Sequence, residues 1–92
     1  MPATAPVMVT LPPVLMRLFP DSVRCVELRA SSVAELIDAL DARWPGMRDR
    51  LCDSRPSIRR HINVFVGDER ASLETRLVPG AAVTILTAIS GG

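Results

Sequence analysis

The chain contains no lysine; all eleven of its basic residues are arginine. Lacking a side-chain amine, one copy cannot be joined through its C-terminus to a lysine of another. The sequence is also rich in alanine and proline, so a compositional bias accounts for the arginines as readily as a functional need. A dominant charge is missing too. Eleven basic and ten acidic residues leave a net charge of +1, which gives no electrostatic case for nucleic acid or an acidic membrane as partner. Cysteine and histidine are scarce. Cys25 and Cys52 have neither metal-site nor redox-motif spacing, and with His61 as the single histidine a zinc site has too few ligands. No metal site is therefore expected. Two isolated thiols fit a reducing compartment, with one disulfide left open. No apolar run approaches the roughly 20 residues needed to span a bilayer. Met1 to Thr10 carry neither a basic region nor the apolar stretch of a secretion signal. A cytoplasmic protein without membrane association is expected. The five glycines (46, 67, 80, 91 and 92) form no phosphate-cradling loop, and no nucleophile–base pair is evident around His61. The expectation is that the chain is not an enzyme and has no catalytic residues of its own.

What is present is the composition of one globular domain. Ninety-two residues, 48% apolar and 23% charged, are enough for a single core without disulfide staples. After a loose lead-in over residues 1–6, Val7 to Leu11 alternate apolar and polar and predict a first strand. Pro12-Pro13 stop it, because neither has an N–H for a ladder. Residues 14–22 read either as a helical turn or as a packed loop. Pro20-Asp21-Ser22 signal a turn, and Val23 to Arg29 predict a second strand with Val26 and Leu28 facing inward.

The clearest element is a helix. Ser32-Val33-Ala34-Glu35 form a capping box, in which the Ser32 hydroxyl accepts from the Glu35 N–H while Glu35 reaches back. Val33, Leu36, Ile37, Leu40 and Trp44 make a one-sided apolar stripe, and Pro45-Gly46 end it. Met47 to Ile58 read as a connector with a short turn closed by Met47 and Leu51. Its arginines at 48, 50 and 55, with 59 and 60 just beyond, suit a solvated loop or, alternatively, an anionic docking surface. Ile62 to Val66 predict a third strand, Gly67-Asp68 a turn, and Glu69 to Val78 an irregular segment. Ala82 to Thr87 predict the last strand, with Val83 and Ile85 inward. One amphipathic helix and one sheet imply an α+β domain over residues 7–88, in which the helix covers a mixed sheet of four to five strands. The hairpin–helix–return order places the first and last strands side by side, central and parallel. That is the β-grasp, or ubiquitin-like, arrangement.

The last strand runs into Ile89-Ser90-Gly91-Gly92. Loop glycines ordinarily serve turns, and here no chain follows. Residues 89–92 read as a flexible tail with a free carboxylate and no Cβ beside it, thin enough to thread an enzyme channel; the alternative is a frayed end.

Several features together resemble the MoaD/ThiS family of sulfur carriers. They are Trp44-Pro45-Gly46-Met47 after the helix, Ile62-Asn63-Val64-Phe65-Val66-Gly67-Asp68, Pro79-Gly80 followed by Val83-Thr84-Ile85-Leu86, and Gly91-Gly92. The similarity covers nearly the whole chain after residue 6 and is greatest to the longer MoaD-like, CysO-type members. The resemblance implies that a ubiquitin-activating-type enzyme uses ATP to adenylate the Gly92 carboxylate. Sulfur then displaces AMP, leaving a thiocarboxylate (a 1-thioglycine) that a sulfur-accepting biosynthetic enzyme consumes. Molybdopterin, thiamine and cysteine synthesis are among the pathways such carriers serve. Gly92 is then the reacting residue, Ile89, Ser90 and Gly91 thread the partner's active site, and no cofactor is bound by the chain itself. Ile89-Ser90 depart from the small residues more familiar before the glycines. If Val64 and Val66 face the helix, Phe65 points to the open face of the sheet, where Met8, Thr84 and Leu86 join it as a partner-docking surface. Two other classes stay open: a ubiquitin-like modifier joined through Gly92 to lysines of other proteins, and a non-covalent β-grasp interaction module.

Overall fold

A computed structural model describes residues 6–54 and 57–87. Strand β1 (Pro6–Thr10) alternates as its sequence demands, with Val7 and Val9 buried and Met8 exposed. Pro13 opens a short helix, α1 (Pro13–Leu18), since a proline at the first helical position forfeits only an N–H that would be unpaired anyway. Leu15 anchors α1 in the core. The turn after it closes on the Phe19 carbonyl, which accepts from the Ser22 N–H at 2.8 Å and from the Ser22 hydroxyl at 2.6 Å. The ambiguous stretch 14–22 thus resolves as a helix followed by a turn.

Strand β2 (Cys25–Arg29) runs antiparallel to β1 with Val9 opposite Val26 and Thr10 opposite Cys25. It begins two residues later than the sequence predicts, and the register explains the difference. The Leu11 N–H still donates to the Arg24 carbonyl at 2.7 Å. One residue further on, Val23 would face Pro12, which has no N–H to donate. Val23 is left exposed.

Helix α2 (Val33–Arg43) buries Val33, Leu36, Ile37 and Leu40. The Glu35 N–H donates to the Ser32 hydroxyl at 3.2 Å, as a capping box requires. The reciprocal half differs from expectation. Glu35 accepts from Ser31 through both its N–H (3.0 Å) and its hydroxyl (2.8 Å), because a second serine precedes the cap and supplies two donors. The first helical N–H groups are taken by the segment after β4. Val33 donates to the Thr75 carbonyl and Ala34 to the Leu73 carbonyl, each at 3.0 Å.

The predicted connector contains a further helix, α3 (Met47–Leu51). Gly46 precedes it at φ 100°, a left-handed conformation that favours glycine, and Met47 and Leu51 are fully buried. Strand β3 (Ile62–Val66) turns through Gly67 into a two-residue strand, β4 (Glu69–Arg70), and β5 (Ala82–Thr87) closes the sheet. The strand order is β2-β1-β5-β3-β4, with β5 parallel to β1 and antiparallel to β3. This is the β-grasp: a five-stranded mixed sheet whose inner face packs on α2. The buried residues form one apolar core, and among the described residues no polar or charged side chain is buried.

Candidate functional site

The predicted reacting segment, Ile89, Ser90, Gly91 and Gly92, lies outside the described residues. What the structure defines is its mounting. Strand β5 has hydrogen-bonded neighbours on both sides, and Val83 and Ile85 seat it on the core with no exposed surface. Its last residue, Thr87, pairs with Ile62. The segment therefore grows from the centre of the sheet and not from an edge.

Register fixes the open face. Phe65 stands opposite Thr84, and Asn63 opposite Leu86, so Phe65 and Leu86 are diagonal neighbours, within reach of aromatic and long side chains. Met8 pairs with Ala82 across the parallel β1–β5 ladder, which makes it the diagonal neighbour of Thr84. Met8, Thr84, Phe65 and Leu86 thus lie on one face as a connected oblique run. Met8 and Leu86 do not touch by register, because Thr84 and Phe65 stand between them. Met8 is 46% and Leu86 45% exposed, while Phe65 and Thr84 are half-buried. Charged groups bracket the run. Glu27 pairs with Met8, and Arg70 pairs with Phe65 while donating to the Asn63 side-chain carbonyl. These flanking polar residues were not foreseen from the sequence, where only the apolar alternation was informative.

Beside the root of the terminal segment is a notch of about 220 Å³ lined by Val14, Leu15, Leu18, Arg50, His61, Ile62 and Thr87. It exists because α1 lies beside the start of β3 and the end of β5, a placement that the sequence of 14–22 does not reveal. His61 is exposed at the start of β3. Both cysteines are free, which closes the disulfide alternative. Cys25 is on the open face with its Sγ 3.5 Å from Thr10 Oγ1. Cys52 is buried at the end of α3, and burial pushes its thiol up. Among the described residues no three His, Cys, Asp or Glu groups converge as metal ligands, and no helix is long and apolar enough to cross a membrane.

With this geometry in view, comparison with known proteins is informative. The family model for the ThiS family matches residues 10–92. The sulfur carrier protein CysO of Mycobacterium tuberculosis is 32% identical over 86 residues, spanning 87% of this chain and 92% of the relative. Among solved structures, a chain of the Amycolatopsis orientalis BexX/CysO complex superposes with a TM-score of 0.83 at 34% identity, covering 94% of this chain and 99% of that one. SAMP1 of Haloferax volcanii superposes with a TM-score of 0.80 at 23% identity, over 96% of this chain and all of its own; at that identity the likeness concerns the fold.

Proposed function

Because the chain belongs to the ThiS family of MoaD/ThiS-type sulfur carriers, we propose that it carries sulfur as a thiocarboxylate on Gly92. The observation that supports this most is the mounting of the terminal segment on β5, a central strand with hydrogen-bonded neighbours on both sides. A group handed between enzymes has to emerge from a rigid body at a fixed place. The chemistry also explains why a carrier needs a separate activating enzyme. A carboxylate is a poor electrophile, so one of its oxygens first attacks the α-phosphorus of ATP and pyrophosphate leaves. Hydrosulfide then adds to the acyl carbon and AMP leaves, giving the thiocarboxylate. If a persulfide delivers the sulfur instead, the acyl disulfide formed must be cleaved by a second thiol. The product sulfur is a strong nucleophile for a biosynthetic acceptor. In this reading the chain is a co-substrate: Ile89, Ser90 and Gly91 thread the activating enzyme, and ATP is bound there.

The open face is the docking surface in the same proposal. Phe65 and Leu86 supply its apolar centre, with Met8 at the far end and Thr84 between. Phe65→Asp puts a charge where apolar area is to be covered, and is expected to lower kcat/KM for adenylation at least tenfold in a variant that retains the wild-type circular dichroism. Wild-type kinetics in that folded variant would remove this face from the mechanism.

The decisive experiment is intact-mass spectrometry of untagged protein purified from its own host. A species in which one oxygen is replaced by sulfur, and which disappears on deletion of Gly92, is the expected result. If the free carboxylate is the sole form, even after incubation with ATP, a sulfur donor and the host's adenylating enzyme, the proposal fails. Recovery of lysine-linked conjugates would assign the chain to the modifier class instead.

A further inference from the structure

The notch beside Thr87 shares two of its walls, Leu18 and Arg50, with a larger cleft of about 500 Å³ that also includes Asp49 and Arg59. Together they make a continuous rim at the root of the terminal segment, drawn from α1, α3, the approach to β3 and the end of β5. Its charge is one-sided. Two guanidinium groups, Arg50 and Arg59, stand against a single carboxylate, Asp49. The Arg50 guanidinium has no hydrogen-bond or ion-pair partner among the described residues. Arg59 is anchored through its Nε to the Asp49 carbonyl at 2.8 Å, which uses one donor of its guanidinium. The ion pair of Arg48 with Asp38 lies elsewhere. In a chain of net charge +1, this local excess reflects placement and not composition. Leu18 is 45% exposed and gives the rim an apolar wall.

We propose that this rim is a second contact for the enzyme that activates Gly92, and that it receives an acidic segment of that enzyme, with carboxylates on Arg50 and Arg59 and an apolar side chain in the notch against Leu18. The inference rests on the sulfur-carrier reading. Gly92 is the fifth residue after Thr87, a reach of at most about 18 Å. Any enzyme holding Gly92 in its active site must therefore bring its body close to the rim. Planar guanidinium groups pair bidentately with carboxylates and phosphates alike, and of these it is carboxylates that an unmodified protein surface presents, so an acidic segment of that enzyme is the occupant. The rim is separate from the open sheet face, so the two contacts make separable contributions.

The test is steady-state adenylation of the full chain by the host's activating enzyme, read as pyrophosphate release. Arg50→Glu is expected to raise KM at least tenfold at low ionic strength with kcat unchanged, because the chemistry at Gly92 is untouched; Arg50→Glu/Arg59→Glu raises it further. The wild-type KM should climb with added salt, since exposed charges are screened over about 8–10 Å at physiological ionic strength, and the double variant should lose that dependence. Arg76→Glu, the same charge change beside the start of α2, should leave KM as it is. If charge reversal prevents folding, Arg50→Gln/Arg59→Gln carries the test with a smaller rise. A folded double variant with the wild-type KM, or a wild-type KM indifferent to salt, overturns the rim while leaving the carrier reading intact. No adenylation of the wild type overturns both.

Discussion

Asp41 shows how a short helix can depend on one carboxylate outside it. Its Oδ1 accepts from the N–H groups of Gly46 and Arg48, each at 3.0 Å, and so caps α3 from the last turn of α2. Gly46, the residue at the cap position, has no side chain to do this. A five-residue helix is far below the length that is stable alone. Removing the carboxylate by Asp41→Ala leaves two donors unpaired. Both bonds are exposed, so water recovers part of each, and the loss falls in the range of a helix cap, about 1–2 kcal/mol, instead of the larger sum for two buried charged bonds. At about 4–8 °C per kcal/mol for a domain of this size, the thermal midpoint falls accordingly. Asp41→Asn retains the acceptor and should recover most of the loss. Asp38→Ala breaks only the exposed pair with Arg48 and should cost no more than about 1 kcal/mol. The assay is urea unfolding followed by fluorescence of Trp44, the single tryptophan, which lies at the end of α2 just before this turn. An Asp41→Ala variant within about 0.5 kcal/mol of wild type, the spread of ordinary surface substitutions, would refute the reasoning. So would Asp38→Ala proving the more damaging.

Met47 is fully buried, and Met47→Ala should cost about 2–5 kcal/mol by removing core volume; a urea midpoint unchanged at constant m-value would show that α3 does not seal the core. The Ser31 N–H and hydroxyl hold the Glu35 carboxyl below its ordinary value of 4.5. The stability from these bonds is complete above that value and lost as pH falls through the lower folded value. The gap in urea midpoint between wild type and Glu35→Gln should therefore close on acidification, and a constant gap across that range would contradict the assignment. In native protein an alkylating reagent should modify the exposed Cys25 much faster than Cys52, which is buried and has its thiol pushed up. Equal rates, read by mass spectrometry, would show that the α3 end opens freely.

Strands and the long helix were legible in the sequence because their physics is periodic. Val7-Met8-Val9 and Asn63-Val64-Phe65 alternate because one face of the sheet is buried and the other open, and that alternation alone assigned Met8, Phe65, Thr84 and Leu86 to the open face. Their order across it needed the register, which seats Met8 on Ala82 and Phe65 on Thr84. The short helices were harder to read. Six residues in α1 and five in α3 span too few turns for a helical period to stand out, and both are held by distant partners: the core under Leu15 and Met47, and the carboxylate of Asp41. The basic rim is visible in the sequence only as a cluster of arginines, because Leu18, Arg50, Arg59 and Thr87 come from four separate stretches that meet only in the folded chain.

Where the terminal segment is rooted also determines how docking variants can be told from destabilising ones. Thr87 ends a strand that is bonded on both sides over residues 82–84 and to β3 alone beyond them, so displacing the strand that carries the segment requires opening the sheet, and such openings approach the free energy of global unfolding. Against a typical stability of about 5–15 kcal/mol, the 1–2 kcal/mol expected for Asp41→Ala leaves nearly every molecule folded. Its root is then positioned as in wild type, and its adenylation kinetics should be too. Phe65→Asp and Arg50→Glu work the other way, since their side chains are at the surface or only half-buried and their effect is expected in kcat/KM and KM, not in the urea midpoint. Stability and activation should therefore vary independently across these variants. A correlation between them would mean that the terminal segment is presented by a partly opened sheet, and that the rigid mounting on β5 is not what the activating enzyme recognises.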